Sequence, residues 1–400
     1  MTVREKVKRR IIREFFNSHS YKKKDVVDDV ITTYPYEFSP VCKNKFLEAM
    51  RVNFRHHKAN SEFYGRLCEY KKFDEDRISS FDDIWDIPYI LSDTFKFYNI
   101  ETKTRDLLKT EFTSSGTSGR KSKITMNTIS GQRLLNSVYL IYKTLGLASE
   151  KSANYLMMCY NPEVDNDVGT TNSDVIISCL TPRNDLFYAL DTNKTGHMEF
   201  LKDQAVEKLR EFINEGRPVR ILGFVHHTCE VIMSYREKYG RVRFPEGSCI
   251  LTGGGWKGAR NPYGKNFDYF TFLEENTTID PKNVRDLYTL IEHPVFYLEC
   301  EQHHKHIPNV SLACVRDPRT LKKLPYGEAG LIHLFTPLVE SCPILSILTT
   351  DYGYIEKSCP CSVGGPYIKV IGRAGMTKKV TCAFTADQFV SGNGMEVARE

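Results

Sequence analysis

Apolar and polar positions along this chain follow two periods. Phe46, Leu47, Ala49 and Met50, and the apolar positions between Phe63 and Tyr70, fall at helical spacing. Asp86-Ile87-Pro88-Tyr89-Ile90-Leu91 closes that region with a proline-marked turn. Short apolar runs follow and read as strands: 155–159, 175–180, 186–190 and 219–224. The run 219–224 leads into a helical stretch from Thr228 to Tyr235. Ser248 to Thr252 reads as a strand ending in Gly253-Gly254-Gly255, and 330–335 and 344–349 read as later strands. Strands alternating with helices predict an α/β chain with a mixed sheet.

Composition narrows this only a little. With 400 residues, 41% hydrophobic and 26% charged, the chain suits a globular protein of one large domain with an appendage, or two domains. A net charge of +5 over that length fits an anionic ligand such as a nucleotide, and is not the footprint of a nucleic-acid binder. Residues 1–16 mix charges with apolar positions and carry no export signal, so they read as an amphipathic surface helix. No stretch reaches the ~18 apolar residues of a membrane span. The 12 cysteines are then expected to be thiols or metal ligands in the cytoplasm.

Candidate chemistry begins at Thr113-Ser114-Ser115-Gly116-Thr117-Ser118-Gly119, followed by Arg120, Lys121 and Lys123. Glycines let a backbone approach a ligand closely, and amides and hydroxyls donate to phosphate oxygens. A neighbouring cation stabilises departing pyrophosphate. Taken alone, the same stretch also suits a Ser/Gly linker. It lacks the Walker A spacing, and the surroundings of Ser114 and Ser115 are not those of a serine hydrolase. A second cluster, Cys300-Glu301-Gln302-His303-His304-Lys305-His306 with Cys359-Pro360-Cys361, offers the thiolates and imidazoles that Zn²⁺ prefers. Cys300, His306, Cys359 and Cys361 make a Cys₃His set, with His303 and His304 as competing ligands.

The hydroxyl-rich loop resembles the phosphate-binding signature of the adenylate-forming superfamily, and further signatures are present. Asp286-Leu287-Tyr288-Thr289-Leu290-Ile291-Glu292 is similar to the segment in which an aromatic lies against adenine and a Glu holds Mg²⁺. Gly253-Gly254-Gly255-Trp256-Lys257 resembles the glycine turn beside the nucleotide. Thr350-Asp351-Tyr352-Gly353 is similar to the motif whose Asp takes the ribose hydroxyls. Ile371-Gly372-Arg373-Ala374-Gly375 resembles the hinge, with Arg373 near phosphate or ribose. Within the superfamily the chain is most similar to acyl-protein synthetases of the LuxE type, and more distantly to phenylacetate–CoA ligases, from about Phe112 to Cys382. Leu251 to Lys257, Glu292-His293-Pro294, Leu324-Pro325-Tyr326-Gly327-Glu328 and Cys359-Pro360-Cys361 carry that similarity most specifically.

The resemblance implies a large adenylate-forming α/β domain with mixed sheets and flanking helices, and a truncated C-terminal tail. The expected divisions are an N-terminal helical segment 1–95, a core 96–372 and a tail 373–400. It implies ATP and Mg²⁺ as cofactors and a carboxylic, fatty acid as substrate. It also implies the Cys₃His choice for a structural Zn²⁺. Only 27 residues follow Arg373 (400 − 373), too few for the mobile domain that usually serves CoA. LuxE-type synthetases acylate a cysteine of their own near the C-terminus, and Cys382 beside Lys378 and Lys379 matches that place. The lysines favour a nucleophilic thiolate. The acyl group then passes to an acyl-CoA reductase subunit, since no nicotinamide fingerprint occurs here. An acid–CoA ligase and a non-catalytic binding protein are the alternative function classes. His226, just beyond a strand end, is an acyl-pocket candidate.

Overall fold

The computed structural model describes residues 23–105, 109–114, 121–162, 169–192, 198–253 and 267–374. Its helices are α1 (Pro40–Asn60), α2 (Glu62–Lys71), α3 (Thr128–Thr144), α4 (Gly169–Ile177), α5 (Lys202–Asn214), α6 (Val225–Tyr239) and α7 (Tyr269–Asn276). The strands are β1 (Ile90–Leu91), β2 (Lys109–Thr113), β3 (Lys123–Asn127), β4 (Ala153–Tyr160), β5 (Arg183–Thr192), β6 (Met198–Phe200), β7 (Val219–Gly223) and β8 (Cys249–Gly253). They continue as β9 (Val284–Leu290), β10 (His293–Leu298), β11 (Lys305–His306), β12 (Leu312–Arg316), β13 (Gly330–Phe335), β14 (Ser346–Glu356) and β15 (Tyr367–Arg373).

Seven strands form one sheet in the order β10-β9-β8-β7-β4-β5-β6. Its interior pairings are parallel, and β10 and β6 close the edges antiparallel. Every residue of central β4 is buried, as a parallel strand covered on both faces requires. Its side chains alternate between two cores. Leu156 and Met158 meet Leu209 and Phe212 of α5 and Ile232 of α6, while Tyr155 and Met157 meet Ile141 and Tyr142 of α3. Each such apolar side chain contributes about 1.5–3 kcal/mol by leaving water. Local signals set the helix ends. Asn127 Oδ1 accepts from Ser130 N at 3.2 Å to cap α3, and Gly240, with φ +82°, ends α6.

The run 175–180 is not a strand. Residues up to Ile177 belong to α4, and a turn follows. Its β-branched apolar residues mimic a buried strand, but β4 and β5 are parallel neighbours and need a crossover between them. That connection makes the segment helical. The other expected strands and helices fall on β4, β5, β7, β8, β13, β14, α1, α2 and α6, within a few residues.

The second sheet has the order β11-β15-β14-β13-β12, with β1 pairing parallel to β14. It shares its core with the preceding helices: Phe46, Met50 and Phe54 of α1 and Tyr64 of α2 join Ile332, Leu334 and Ile347. The helices α1 and α2 are therefore packed onto the second sheet. A separate hairpin, β2–β3, is in register from Lys109↔Asn127 to Thr113↔Lys123. Residues 1–16 lie outside the described residues.

Candidate functional site

The carboxyl ends of β4, β5, β7, β8 and β9 lie along one edge of the seven-stranded sheet, where α/β proteins bind ligands. Gly253 is the last residue of β8 and pairs with Leu287 of β9. Gly254 and Gly255 lie outside the described residues. Tyr288 follows on β9, and Glu292 stands in the turn from β9 to β10.

The second sheet supplies the opposing wall. The Tyr288 hydroxyl donates to Asp351 Oδ2 at 2.8 Å. Arg373, at the end of β15, lies opposite Asp351 in the ladder, and its Nε is 3.4 Å from Asp351 Oδ1. Close packing makes this register achievable: a Cβ on Gly353 would stand 2.2 Å from the Lys369 carbonyl oxygen. Asp351 is 6% exposed, yet its carboxylate has about four acceptor positions and Tyr288 and Arg373 address only part of them. Burial raises the Tyr288 phenol far above its ordinary range, reinforced by the Asp351 charge, so Tyr288 remains a donor.

Glu292 is buried, and burial raises its carboxyl above the usual range. The Ser122 hydroxyl, Lys96 and Arg373 oppose that shift. A carboxyl so placed gains from a cation beside it. Ser122 also anchors the hydroxyl-rich loop. Ser114 N donates to Ser122 O at 3.0 Å, and Ser122 N donates to Ser114 Oγ at 2.9 Å. The two ends of the Gly-Thr-Ser stretch are thereby pinned next to Glu292. Ser115, Gly116, Thr117, Ser118 and Gly119 themselves lie outside the described residues, as does Cys382. Lys123 is exposed on the hairpin and pairs with Glu111 at 3.2 Å.

Among the expected nucleotide residues, Tyr288, Asp351, Arg373, Glu292 and Ser114 thus belong to one neighbourhood. Sequence reading missed Lys96 and Ser122, which carry no motif and reach Glu292 only through folding. His226 is the second residue of α6, just beyond Gly223, whose φ of +128° and contact with the Met158 carbonyl exclude a side chain. Burial pulls His226 down to about 4, so it stays neutral, and neither ring nitrogen has a partner among the described residues.

The cysteine–histidine residues converge where the two sheets meet. Cys300 follows β10, His306 ends β11, and Cys359 and Cys361 lie between β14 and β15. The ligand atoms of the four all fall within 4.8 Å of one another. Cys300 Sγ is 3.8 Å from Cys359 Sγ, and Cys361 Sγ is 3.3 Å from His306 Nε2. Zinc bonds of ~2.0–2.3 Å in a tetrahedron give ligand separations of ~3.3–3.8 Å, so the set fits. His304 Nδ1 is 3.1 Å from Cys359 Sγ and its ring stacks on Tyr367, whereas His303 turns to Glu299 and Phe270. Burial pushes Cys359 up to about 12, with the nearby thiols adding to it; a bound dication reverses that by stabilising thiolates. Next to the set, the Lys305 ammonium joins Asp286 at 2.9 Å and Glu299 at 2.7 Å, tying β11 to β9. The eleven described cysteines are free thiols, and no described helix is long and apolar enough to cross a membrane.

Comparison with known proteins finds relatives over most of the chain. The model of the family described as "Acyl-protein synthetase, LuxE" matches residues 16–390. The long-chain-fatty-acid–luciferin-component ligase of Aliivibrio fischeri is 26% identical over 376 residues, covering 92% of this chain and 95% of that protein. The enzyme of the same name from Vibrio harveyi is 24% identical, covering 83% and 86% respectively. An open conformation of 2-hydroxyisobutyryl-CoA ligase, solved with 2-HIB-AMP and CoA, superposes with a TM-score of 0.63. That likeness covers 88% of this chain and 80% of that one at 14% identity, and it shows a shared adenylate-forming fold. The chain belongs to the LuxE family of acyl-protein synthetases, its relatives are named fatty-acid ligases, and it shares the fold of 2-hydroxyisobutyryl-CoA ligase.

Proposed function

We propose that this chain activates a long-chain fatty acid with Mg·ATP as an acyl-adenylate and then forms a thioester on its own Cys382. The observation that carries the reading is the convergence of Tyr288, Asp351, Arg373 and Glu292 at the edge of the sheet, in a chain that matches its family over residues 16–390. Asp351 accepts the ribose hydroxyls through its remaining lone pairs, and Tyr288 lies against adenine. Ser114 to Gly119 and Gly253 to Gly255 line the nucleotide, with Lys123 and Arg373 as the cations of the phosphate region. Mg²⁺, held with the help of Glu292, supplies charge neutralisation of the phosphates.

An oxygen of the fatty carboxylate attacks the α-phosphorus, and the bond to pyrophosphate breaks. The Cys382 thiolate then attacks the acyl carbonyl, and AMP leaves with the former carboxylate oxygen. A partner acyl-CoA reductase subunit receives the acyl group, in the cytoplasm. Cys300, His306, Cys359 and Cys361 would hold a structural Zn²⁺, which would fasten the two sheets and, with four protein ligands, would take no part in the acyl chemistry. Residues 1–95, 96–372 and 373–400 serve as helical segment, catalytic core and acceptor tail.

Exchange of labelled pyrophosphate into ATP, assayed across fatty and aromatic acids, tests the first half. Exchange that depends on added fatty acid supports it, and exchange that ignores the acid removes it. Acyl transfer only when CoA is present, with no label on the protein, favours an acid–CoA ligase instead.

A further inference from the structure

We propose that the core binds one halide-sized monovalent anion beside Arg220, at a site separate from the acyl chemistry. Arg220 is the second residue of β7 and lies three residues before Gly223, at which the strand reaches the ligand edge. It is 7% exposed, and its guanidinium cannot lose its charge by deprotonation. Buried charges are ordinarily paired. Here Nη1 donates to Cys249 Sγ at 2.9 Å, while Nε is buried without a partner. The groups that act on its charge among the described residues are Cys249, Tyr155 and Tyr142, none of them a carboxylate.

A second orphaned donor faces the same problem. The hydroxyl of Tyr142, on α3, is buried and also without a partner. Arg220 and Tyr142 line one small cavity together with Thr181, Leu222 and Leu251. Its free volume of about 10 Å³ has room for a single water-sized occupant. That excludes phosphate, sulfate and carboxylic acids. Water satisfies the donors but brings no negative charge of its own to the guanidinium, whose Nη1 donates to the Cys249 sulfur. A halide accepts from both Nε–H and the Tyr142 O–H, carries the opposite charge, and brings no donor of its own to be satisfied among the leucines.

Bromide is the probe, because it scatters anomalously. In crystals of the full chain grown with bromide, an anomalous peak bounded by Arg220 and Tyr142 is expected. A cavity holding only water, or no anomalous peak, overturns the proposal. In solution, thermal unfolding of the full chain is followed as bromide replaces gluconate at constant ionic strength. The expected result is a saturable rise in Tm for the native protein, weakened in Tyr142→Phe and absent in Arg220→Gln. Identical unfolding in the two salts overturns it. Should Arg220→Gln fail to fold, the native titration and Tyr142→Phe decide.

Discussion

Asp351→Asn isolates the acceptor that the account assigns to the ribose. The native carboxylate takes the Tyr288 phenol on Oδ2 at 2.8 Å and has Arg373 beside Oδ1 at 3.4 Å. Of its roughly four lone-pair positions, about two remain for the ribose diol. An amide keeps one acceptor oxygen and turns two donors toward Arg373 or the sugar. The Arg373 pair loses little, because that side chain is 40% exposed and such pairs contribute about 0–1 kcal/mol. Hydrogen bonds to a charged group are stronger, about 1.5–3 kcal/mol each. Losing one charge-assisted ribose contact therefore weakens ATP binding about 10- to 150-fold, at 1.4 kcal/mol per factor of ten. Steady-state pyrophosphate exchange should show KM for ATP rising by that factor with KM for the fatty acid unchanged. Replacing ATP by 2′- and 3′-deoxy-ATP should penalise the native protein far more than the variant. Equal discrimination against the deoxynucleotides in both proteins would refute the ribose assignment.

Other perturbations address the frame around that site. Gly353→Ala sets a Cβ 2.2 Å from the Lys369 carbonyl and forces β14 from β15, two residues from Asp351. Nucleotide binding and Tm should fall together, and native values of both contradict the packing argument. Protein purified without chelators should carry about one zinc per chain by elemental analysis. Stripping it, or Cys359→Ser, should lower Tm sharply, since a structural zinc contributes on the order of 10 kcal/mol; a trace of metal with intact thiols removes the assignment. Burial raises Asp174 to about 7, against about 3.9 for the unfolded chain. Folding therefore takes up a proton between those values, and this group's contribution to stability falls as pH rises through the window. Asp174→Asn should gain on the native protein from pH 5 to pH 7 in urea unfolding and then level off, whereas a pH-independent difference contradicts the burial of that carboxyl.

Local chemistry made some of this visible in the sequence. Val219, Ile221 and Leu222 are apolar and sit in β7, and Phe46 to Met50 has a period that only α1 satisfies. The grouping of Cys300, His306, Cys359 and Cys361 was legible because thiols and imidazoles are the ligand types a metal set requires, although 59 positions separate Cys300 from Cys359. Val175 to Leu180 was misread because a short apolar run has no period of its own, and only the parallel pairing of β4 with β5 makes it helical. Lys305 stands between metal-ligand candidates and looks like a surface charge, yet the buried Glu299 and the half-buried Asp286 of β9 both pair with it. The link from Ser122 to Glu292 joins a hairpin to a sheet edge, and no spacing in the chain announces it.

The measurement closest to the central claim follows the acyl group itself. The native chain and Cys382→Ser are incubated with Mg·ATP and a radiolabelled long-chain fatty acid, without CoA, and adenylate and protein-bound label are both counted. The account predicts acyl-adenylate and pyrophosphate from both proteins, and hydroxylamine-labile label on the native chain alone. Undiminished labile label on Cys382→Ser would contradict it.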